Sequence, residues 1–155
     1  MNRLQQIIAY LCVNYPHKSE LSKARLTKMV YLSDWFSALL DGRQLTNIDW
    51  LFNHYGPYVD DVIGAAHNGS GFMVINETTM YGSHKNVISF QGDVSNIQLT
   101  DREKVILDAV IDKTKNLCFN DFIDYVYSTY PVKKQERYSN LNLVSLAQQF
   151  RESRT

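Results

Sequence analysis

The stretch SKARLTKMVYLSDWFSALLDG, residues 22–42, decides the fold of this chain. Apolar side chains recur along it every three or four residues, which is the period of one helix face. This stripe consists of Leu26, Met29, Val30, Phe36 and Leu40. A second apolar line, through Leu32, Trp35 and Leu39, covers a neighbouring face, and a helix with so much apolar surface usually lies at the centre of a domain. Gly42 should end the helix, because glycine adopts the left-handed cap without a Cβ clash.

The segments next to this helix predict further helices. Residues 2–15 carry a complete apolar stripe and predict a first helix, which a short link should pack antiparallel to the central one. Residues 45–55 are aromatic and irregular, so we expect a loop or a short strand there. We predict a helix over residues 57–68, since Pro57 suits a first helical position, where a backbone N–H has no partner anyway. Asp60 and Asp61 would then lie in its first turn and favour its dipole.

The second half of the chain changes period and then returns to helices. Residues 72–75 and 87–90 are β-prone runs, and residues 78–81 form a weaker third one, so we predict a small antiparallel sheet. Thr100 and Glu103 form a capping box that opens a helix reaching about Lys115. Asn120 should cap the next helix, which ends before Pro131. A last helix carries apolar residues at helical spacing: Leu143, Leu146, Ala147 and Phe150.

These patterns predict a mainly α (α+β) fold. It is a compact helical domain around a central buried helix, with a small antiparallel β element inserted. The length of 155 residues fits one domain, which we place at residues 1–150 with a tail at 151–155.

Composition and charge exclude several classes of function. The 16 basic and 16 acidic residues balance, so no strong field attracts the chain to nucleic acid or anionic lipid. An apolar run of the roughly 20 residues that span a bilayer is missing from the sequence, as is a secretory pattern. Cys12 and Cys118 fall on apolar faces of predicted helices, as reduced core cysteines do. We therefore expect a cytoplasmic protein with no membrane partner.

The sequence gives little support to catalysis. The histidines lack metal-ligand spacing, and the chain has neither a Gly-x-Ser-x-Gly elbow nor a phosphate-binding glycine loop. A shared metal at His54 and His67 with Asp60 or Asp61 is left open, but its spacing is not diagnostic. We expect no catalytic residue, no metal and no cofactor, and hence no enzyme.

Asp34 is the most unusual residue of the central helix. A carboxylate placed among aromatic and apolar side chains needs partners if it is buried. Arg43 or the backbone of residues 45–58 would serve, and Asp34 would then anchor the helix to the following loop. A direct role in contacting a partner is the alternative.

A nucleic-acid partner is the main competing class. The two helices predicted over residues 100–129 resemble half of a winged-helix unit, whose second helix should present basic residues to DNA. Its exposed positions are Asp121, Asp124, Tyr125 and Ser128 instead. The basic patch at residues 133–137 is interrupted by Glu136, so we do not expect nucleic-acid binding.

The run KMVYLSDWFSALLDGRQLTNIDWLFNHYGPYVDDV, residues 28–62, closely resembles the Panacea domain, an antitoxin family that includes SocA-like proteins. The matching features are the Lys-x-Val-Tyr-Leu-x-Asp-Trp helix, the Asp-Gly-Arg-x-Leu-Thr turn and the His-Tyr-Gly-Pro-Tyr segment. The resemblance continues more weakly to about Val132. It implies an antitoxin that binds and neutralises a cognate protein toxin encoded beside it. SocA-like members instead deliver a toxin to a Clp-type protease, which the sequence leaves open as an alternative.

The family's recurrent residues map here onto Tyr31, Asp34, Trp35, Gly42, Arg43, Leu45, Gly56, Pro57 and Tyr58. From these and the aromatic segment 50–58 we predict one partner-binding surface, because Trp and Tyr lose little side-chain freedom on binding. Its residues are Tyr31, Asp34, Arg43, Trp50, Tyr55 and Tyr58. For Trp50 and Tyr55, sealing the core is an equally valid interpretation.

Overall fold

The computed structural model describes residues 1–78 and 80–154. The helices in this part of the chain are α1 (Arg3–Asn14), α2 (Lys23–Asp41), α3 (Asp61–Asn68), α4 (Asp101–Thr114), α5 (Phe119–Tyr127), α6 (Tyr130–Lys134) and α7 (Leu143–Ser153). The strands are β1 (Trp50–Asn53), β2 (Gly56–Tyr58), β3 (Phe72–Thr78), β4 (His84–Phe90) and β5 (Asn140–Leu141). Short 3₁₀ helices occupy Lys18–Glu20 and Val94–Asn96. The fold is mainly helical α+β, as predicted.

Helix α2 is the centre of the molecule, and the predicted boundaries are confirmed. The Ser22 hydroxyl accepts a hydrogen bond from the Arg25 N–H at 3.1 Å, and Gly42 closes the helix at φ 72°. Helices α1, α3, α4, α5 and α7 all contact α2. Every side chain from residue 25 to residue 35 is buried, including the polar Thr27 and Asp34, whereas Leu40 on the predicted apolar stripe is exposed.

The strands form two small sheets. In the first, β1 lies between β2 and β5, and both neighbours run antiparallel to it. The second is the β3–β4 hairpin, which confirms the predicted runs at 72–75 and 87–90 and extends both. Of the weaker run at 78–81, Thr78 belongs to β3, Met80 and Tyr81 lie in the following turn, and Thr79 lies outside the described residues.

The predicted helix start at Pro57 is wrong. Gly56 adopts φ 99°, and Pro57 pairs with Phe52 across the β1–β2 ladder. Because β2 is an edge strand, the missing proline N–H costs no ladder bond. The helix begins at Asp61 instead.

The start of α5 also differs from the prediction. The helix begins at Phe119 with Cys118 at the cap position, two residues before the cap expected at Asn120. Cys118 is therefore exposed, and only Cys12 is the buried core cysteine that the pattern predicted. The capping box at Thr100 and Glu103 is confirmed, with hydrogen bonds of 3.2 and 3.1 Å.

Two arginines connect the ends of the helices to α2. The buried Arg25 guanidinium donates to the carbonyls of Thr114 and Leu117 at the end of α4, at 2.9 and 2.6 Å. In the same way Arg151, on the last turns of α7, donates to the carbonyls of Ala38 and Leu39 at 2.9 and 3.0 Å. Cations at these positions satisfy helix-end carbonyls and favour the helix dipole. The residues expected to form a tail therefore include a contact to the centre of the fold.

Candidate partner-binding site

Asp34 lies inside the protein, where it holds the segment after α2. Its carboxylate accepts hydrogen bonds from the Thr46 N–H at 2.9 Å, the Thr46 hydroxyl at 2.5 Å and the Trp50 indole N–H at 2.9 Å. The Gln44 side-chain amide adds a longer bond of 3.2 Å. The contact to the backbone of residues 45–58 matches the predicted anchor, whereas Arg43 takes no part in it.

Burial raises the pKa of Asp34 to about 6, and hydrogen bonds from Thr46 and Trp50 oppose this effect. The carboxylate is charged at neutral pH but lacks a cationic partner within the described residues, so neutral and backbone donors alone stabilise it.

Tyr31 and Trp50 complete this buried group. Their rings meet edge to face, with centroids 5.6 Å apart, and the Tyr31 hydroxyl bonds the Thr129 hydroxyl at 2.8 Å. The three residues Tyr31, Asp34 and Trp50 are therefore core side chains that a partner cannot touch in this conformation. Their predicted contact with a partner stays a prediction, and in this structure they position the β1 segment.

The other three predicted contact residues are accessible but do not lie together. Tyr58 stands beside the first turn of α2, with the Lys23 ammonium 5.5 Å from its ring centroid. Arg43 follows the last turn and lines a cleft that includes Asp41 and Arg102. Since a helix rises about 1.5 Å per residue, the two ends of α2 are ~27 Å apart. The six residues thus separate into three groups: the buried Tyr31, Asp34 and Trp50; Arg43 after the end of α2; and Tyr55 and Tyr58, which we call the tyrosine patch.

An open cleft lies beside the tyrosine patch. Its volume is about 430 Å³. We call it the aromatic cleft, and its lining residues are Ala24, Lys28, Tyr55, Phe119, Asn120, Ile123, Asp124 and Tyr127. Tyr55, at the β1–β2 turn, is 76% exposed, and Phe119, at the start of α5, is 47% exposed. Exposed rings of this size around a concavity are typical of protein-binding surfaces.

A larger, more polar cleft of about 740 Å³ continues from the aromatic cleft and shares Ala24 and Phe119 with it. We call it the basic cleft, because Lys23, Arg25, His84 and Lys85 line it alongside Glu20. The two clefts together run along the start of α2, from the β1–β2 turn to the β4 hairpin.

Comparison with known families decides the identity of the domain. Residues 26–131 match the family described as "Antitoxin SocA-like, Panacea domain". The chain belongs to this SocA-like antitoxin family. Comparisons with curated proteins and with solved structures return no match.

The region matched to the SocA-like family contains most of the candidate site. It includes α2 from residue 26 onward, the β1–β2 hairpin and α5, and thus every residue that lines the aromatic cleft except Ala24. Helix α1, strand β5 and helix α7 lie outside it, although each helps to bury α2 or β1.

Sequence reasoning missed Lys28 and Phe119. Lys28 stood inside the resemblance motif, and a lysine within the apolar circumference of a central helix was a visible anomaly. Phe119 was hidden by the misplaced start of α5, because a phenylalanine before the helix cap has no expected face.

Across residues 1–78 and 80–154, three or more His, Cys, Asp or Glu side chains never converge as metal ligands. His54 bonds the Tyr138 hydroxyl at 3.1 Å instead, and the expectation of no metal stays a prediction. A helix long and apolar enough to cross a membrane is likewise missing from the described residues.

Proposed function

We propose that this SocA-like domain is an antitoxin that neutralises a protein toxin by direct binding, through the aromatic cleft and Tyr58. The observation that carries the proposal is the pair of exposed rings, Tyr55 and Phe119, at the mouth of a cleft that lies within the family-matched region. Aromatic anchors around a concavity supply most of the energy in many interfaces.

The backbone of this surface supports the same role. The β1–β2 hairpin that carries Tyr55 is held on one side by β5 and underneath by the Asp34–Trp50 hydrogen bond. A rigid hairpin loses little freedom when a partner docks, so more of the contact energy remains as affinity.

The first experiment is coexpression with the protein encoded by the neighbouring gene. We expect the chain to restore growth and to form a complex that survives gel filtration, in a host with or without Clp-type proteases. Restored growth that depends on those proteases and leaves no complex would favour the delivery mechanism instead.

Three alanine variants locate the contact surface. Tyr55→Ala and Tyr58→Ala should each weaken the complex by about 1–3 kcal/mol, as truncated interface anchors do. Arg43→Ala, at the other end of α2, tests the second patch of the predicted surface. Calorimetry measures the affinities, and melting temperatures near that of the wild type show that the variants are folded. A loss confined to Arg43→Ala would move the surface to the far end of α2.

The predicted lack of nucleic-acid binding is also part of this proposal. Asp121 and Asp124 are exposed on α5, the helix that a winged-helix arrangement would turn towards DNA. Like charges on that face repel phosphate. A gel-shift assay with the upstream DNA of the operon should show no complex at physiological salt.

A further inference from the structure

Lys28 is a buried cation without a counter-ion. The residue is only 3% exposed, although its side chain lines the aromatic cleft. Within the described residues, its ammonium forms neither a hydrogen bond nor an ion pair. A charge held in this way raises the free energy of the folded state, because it has lost most of its water without gaining a partner. Such a cost is tolerated where the missing partner arrives with a ligand.

The surroundings of Lys28 leave room for that partner. On one side is Gly56 of β2, where an added Cβ would stand 3.6 Å from the Lys28 Cε and 3.5 Å from the Tyr127 hydroxyl oxygen. The titratable groups that line the cleft with Lys28 are Tyr55, Asp124 and Tyr127. Asp124 is the nearby acid on α5, yet it forms no ion pair with Lys28 in the described structure. The apolar part of the wall comes from Phe119 and Ile123.

Burial also lowers the pKa of Lys28 from its usual 10.5 to about 8. Because pH 7 lies below this pKa, the side chain is mostly protonated there. An anion that enters the cleft would favour the charged form and would meet little competition from water.

We propose that Lys28 binds a side-chain carboxylate of the toxin, an Asp or Glu whose neighbouring apolar side chain packs against Phe119 and Ile123. This inference rests on the proposed function, because it names the chemistry that the aromatic cleft recognises. Charge complementarity supports this assignment, because an unpaired cation in an apolar cleft selects a single anionic group carried on an apolar segment.

The same cleft disfavours a polyanion. Each phosphate group of a nucleic acid is bound by several hydrogen-bond donors or cations around its oxygens. Lys28 is the cation that lines the aromatic cleft, and Asp124 in the same lining would repel a second phosphate, whereas Lys23, Arg25 and Lys85 line the adjoining basic cleft and not this one. A cleft of about 430 Å³ accommodates one or two side chains rather than a backbone of repeated charges.

The decisive variant is Lys28→Met, which keeps an unbranched apolar stem of nearly the same length but removes the charge. Affinity for the neighbouring-gene protein should fall at least ~10-fold, as expected for loss of a desolvated charge pair. Asp124→Asn is the matched control, because it removes the opposite charge from the same cleft and should leave the complex as tight or make it tighter. Unchanged affinity of Lys28→Met, or an equal loss in both variants, would overturn the proposal.

A stability readout separates recognition from folding. Lys28→Met removes an unpaired buried charge, so its melting temperature at pH 7 should equal or exceed that of the wild type. Lower affinity together with a raised melting temperature would be difficult to explain by structural damage. A variant that melts many degrees lower would show that Lys28 supports the fold, which contradicts the role proposed here.

The pH dependence of binding gives a second measurement on the unaltered protein. The carboxylate should raise the pKa of Lys28 in the complex above its value of about 8 in the free chain. Affinity should therefore be highest below pH 8 and decline as the pH rises past it. Lys28→Met should lack this decline.

A small probe tests the site without the toxin. The sodium salt of 3-phenylpropanoic acid combines one carboxylate with one aromatic ring, and its primary amide is the uncharged control. By NMR, the carboxylate should bind the wild type in the millimolar range, bind Lys28→Met at least ~10-fold more weakly, and shift resonances around Phe119. The amide should bind both proteins weakly. Equal binding of acid and amide would overturn the assignment of Lys28.

The toxin-binding experiment and the small-molecule probe test different statements. If the wild type does not bind the neighbouring-gene protein at all, the proposed function is overturned. The same result also rules out that protein as the source of the carboxylate. The probe then decides separately whether Lys28 selects a carboxylate.

Discussion

Asp34 shows how a single side chain determines the position of a whole segment. The chain reverses at Gly42, and four hydrogen bonds to one buried carboxylate fix where it goes next. Removing the acceptor would leave buried donors without partners, which costs more than the bonds contribute when made. The position of β1, and of Tyr55 after it, therefore depends on residue 34.

We predict that Asp34→Asn lowers the free energy of unfolding by about 1–3 kcal/mol at pH 7, the cost of one or more unsatisfied buried donors. The amide cannot accept on both of its ends, so the Thr46 N–H or the Trp50 indole loses its acceptor. Urea unfolding followed by tryptophan fluorescence measures the change. Asp121→Asn, on the exposed face of α5, is the control and should unfold like the wild type. Equal stability of both variants would contradict the anchor role.

Protonation of Asp34 adds a pH dependence of known sign. The folded-state pKa of about 6 lies above the usual 3.8, so the folded state binds this proton at a higher pH than the unfolded state does. Through this group, stability increases as the pH falls from about 6 to about 4, and Asp34→Asn should lose that contribution. The comparison of the two proteins over this range isolates the effect from other carboxyl groups.

The residues around Asp34 also show which interactions can be predicted from the sequence. It offered Asp34 as an anchor to residues 45–58, with direct contact to a partner as the alternative, because a carboxylate on an apolar helix needs a partner if it is buried. It did not find the Thr46 hydroxyl or the Trp50 indole, since nothing in their spacing says which way their donors point. Tyr31 and Trp50 were predicted to contact a partner, with packing in the core as the alternative for Trp50, because an amphipathic ring fits an interface and a polar core equally well.

At the scale of elements, helix ends are held by arginines from distant helices. The Arg25 guanidinium lies between the rings of Tyr15 and Phe122, with centroids at 5.6 and 4.6 Å, and completes the last turn of α4. This one side chain connects α2, α4 and α5. Arg25 also holds the carbonyl of Leu117, two residues before α5 begins at Phe119.

We predict that Arg25→Met destabilises the protein by about 2–4 kcal/mol, because buried carbonyls at the end of α4 lose a charged donor. Hydrogen exchange should speed up most at Thr114 to Leu117 and at the start of α5. Arg102→Met is the matched control: its bonds to Asp41 lie at the surface, where an ion pair contributes little. Similar losses in both variants would show that the buried position of Arg25 has no special effect.

Helices whose limits depend on the local sequence were predicted well. Strands that depend on pairing with another segment of the chain were predicted poorly. The limits of α2 and the capping box of α4 follow from local chemistry. Strand β2 was mistaken for a helix start, because Pro57 suits both a first helical turn and an edge strand. Only pairing with strand β1 distinguishes these two structures. Strand β5 was not predicted, because two residues are too few to show a periodic pattern of apolar side chains.

At the scale of the molecule, the family-matched region is not a complete structural unit. Residues 26–131 leave out α1, β5 and α7, which cover α2 and one edge of β1. The Phe150 ring of α7 packs against Trp35 and Tyr130, with centroids 6.2 and 5.3 Å away. A fragment with only the matched residues would expose the apolar circumference of its longest helix.

We therefore predict that the fragment 26–131 does not fold cooperatively. Circular dichroism should show reduced helix content and no sharp thermal transition. A chain that ends at residue 152 is the control: it retains Phe150 and the Arg151 contacts, and should melt near the wild type. A sharp transition in the short fragment would mean that α1 and α7 are accessory rather than part of the core.

The pairing of Trp50 with Leu141 also has a consequence for protein synthesis. A ribosome releases α2 and β1 well before it makes the strand and the helix that cover them. Until residue 150 has emerged, the nascent chain presents an unprotected apolar helix to chaperones and proteases. A translation product that stops before residue 150 would consequently keep the apolar face of α2 uncovered, because it lacks the Phe150 ring that packs against Trp35.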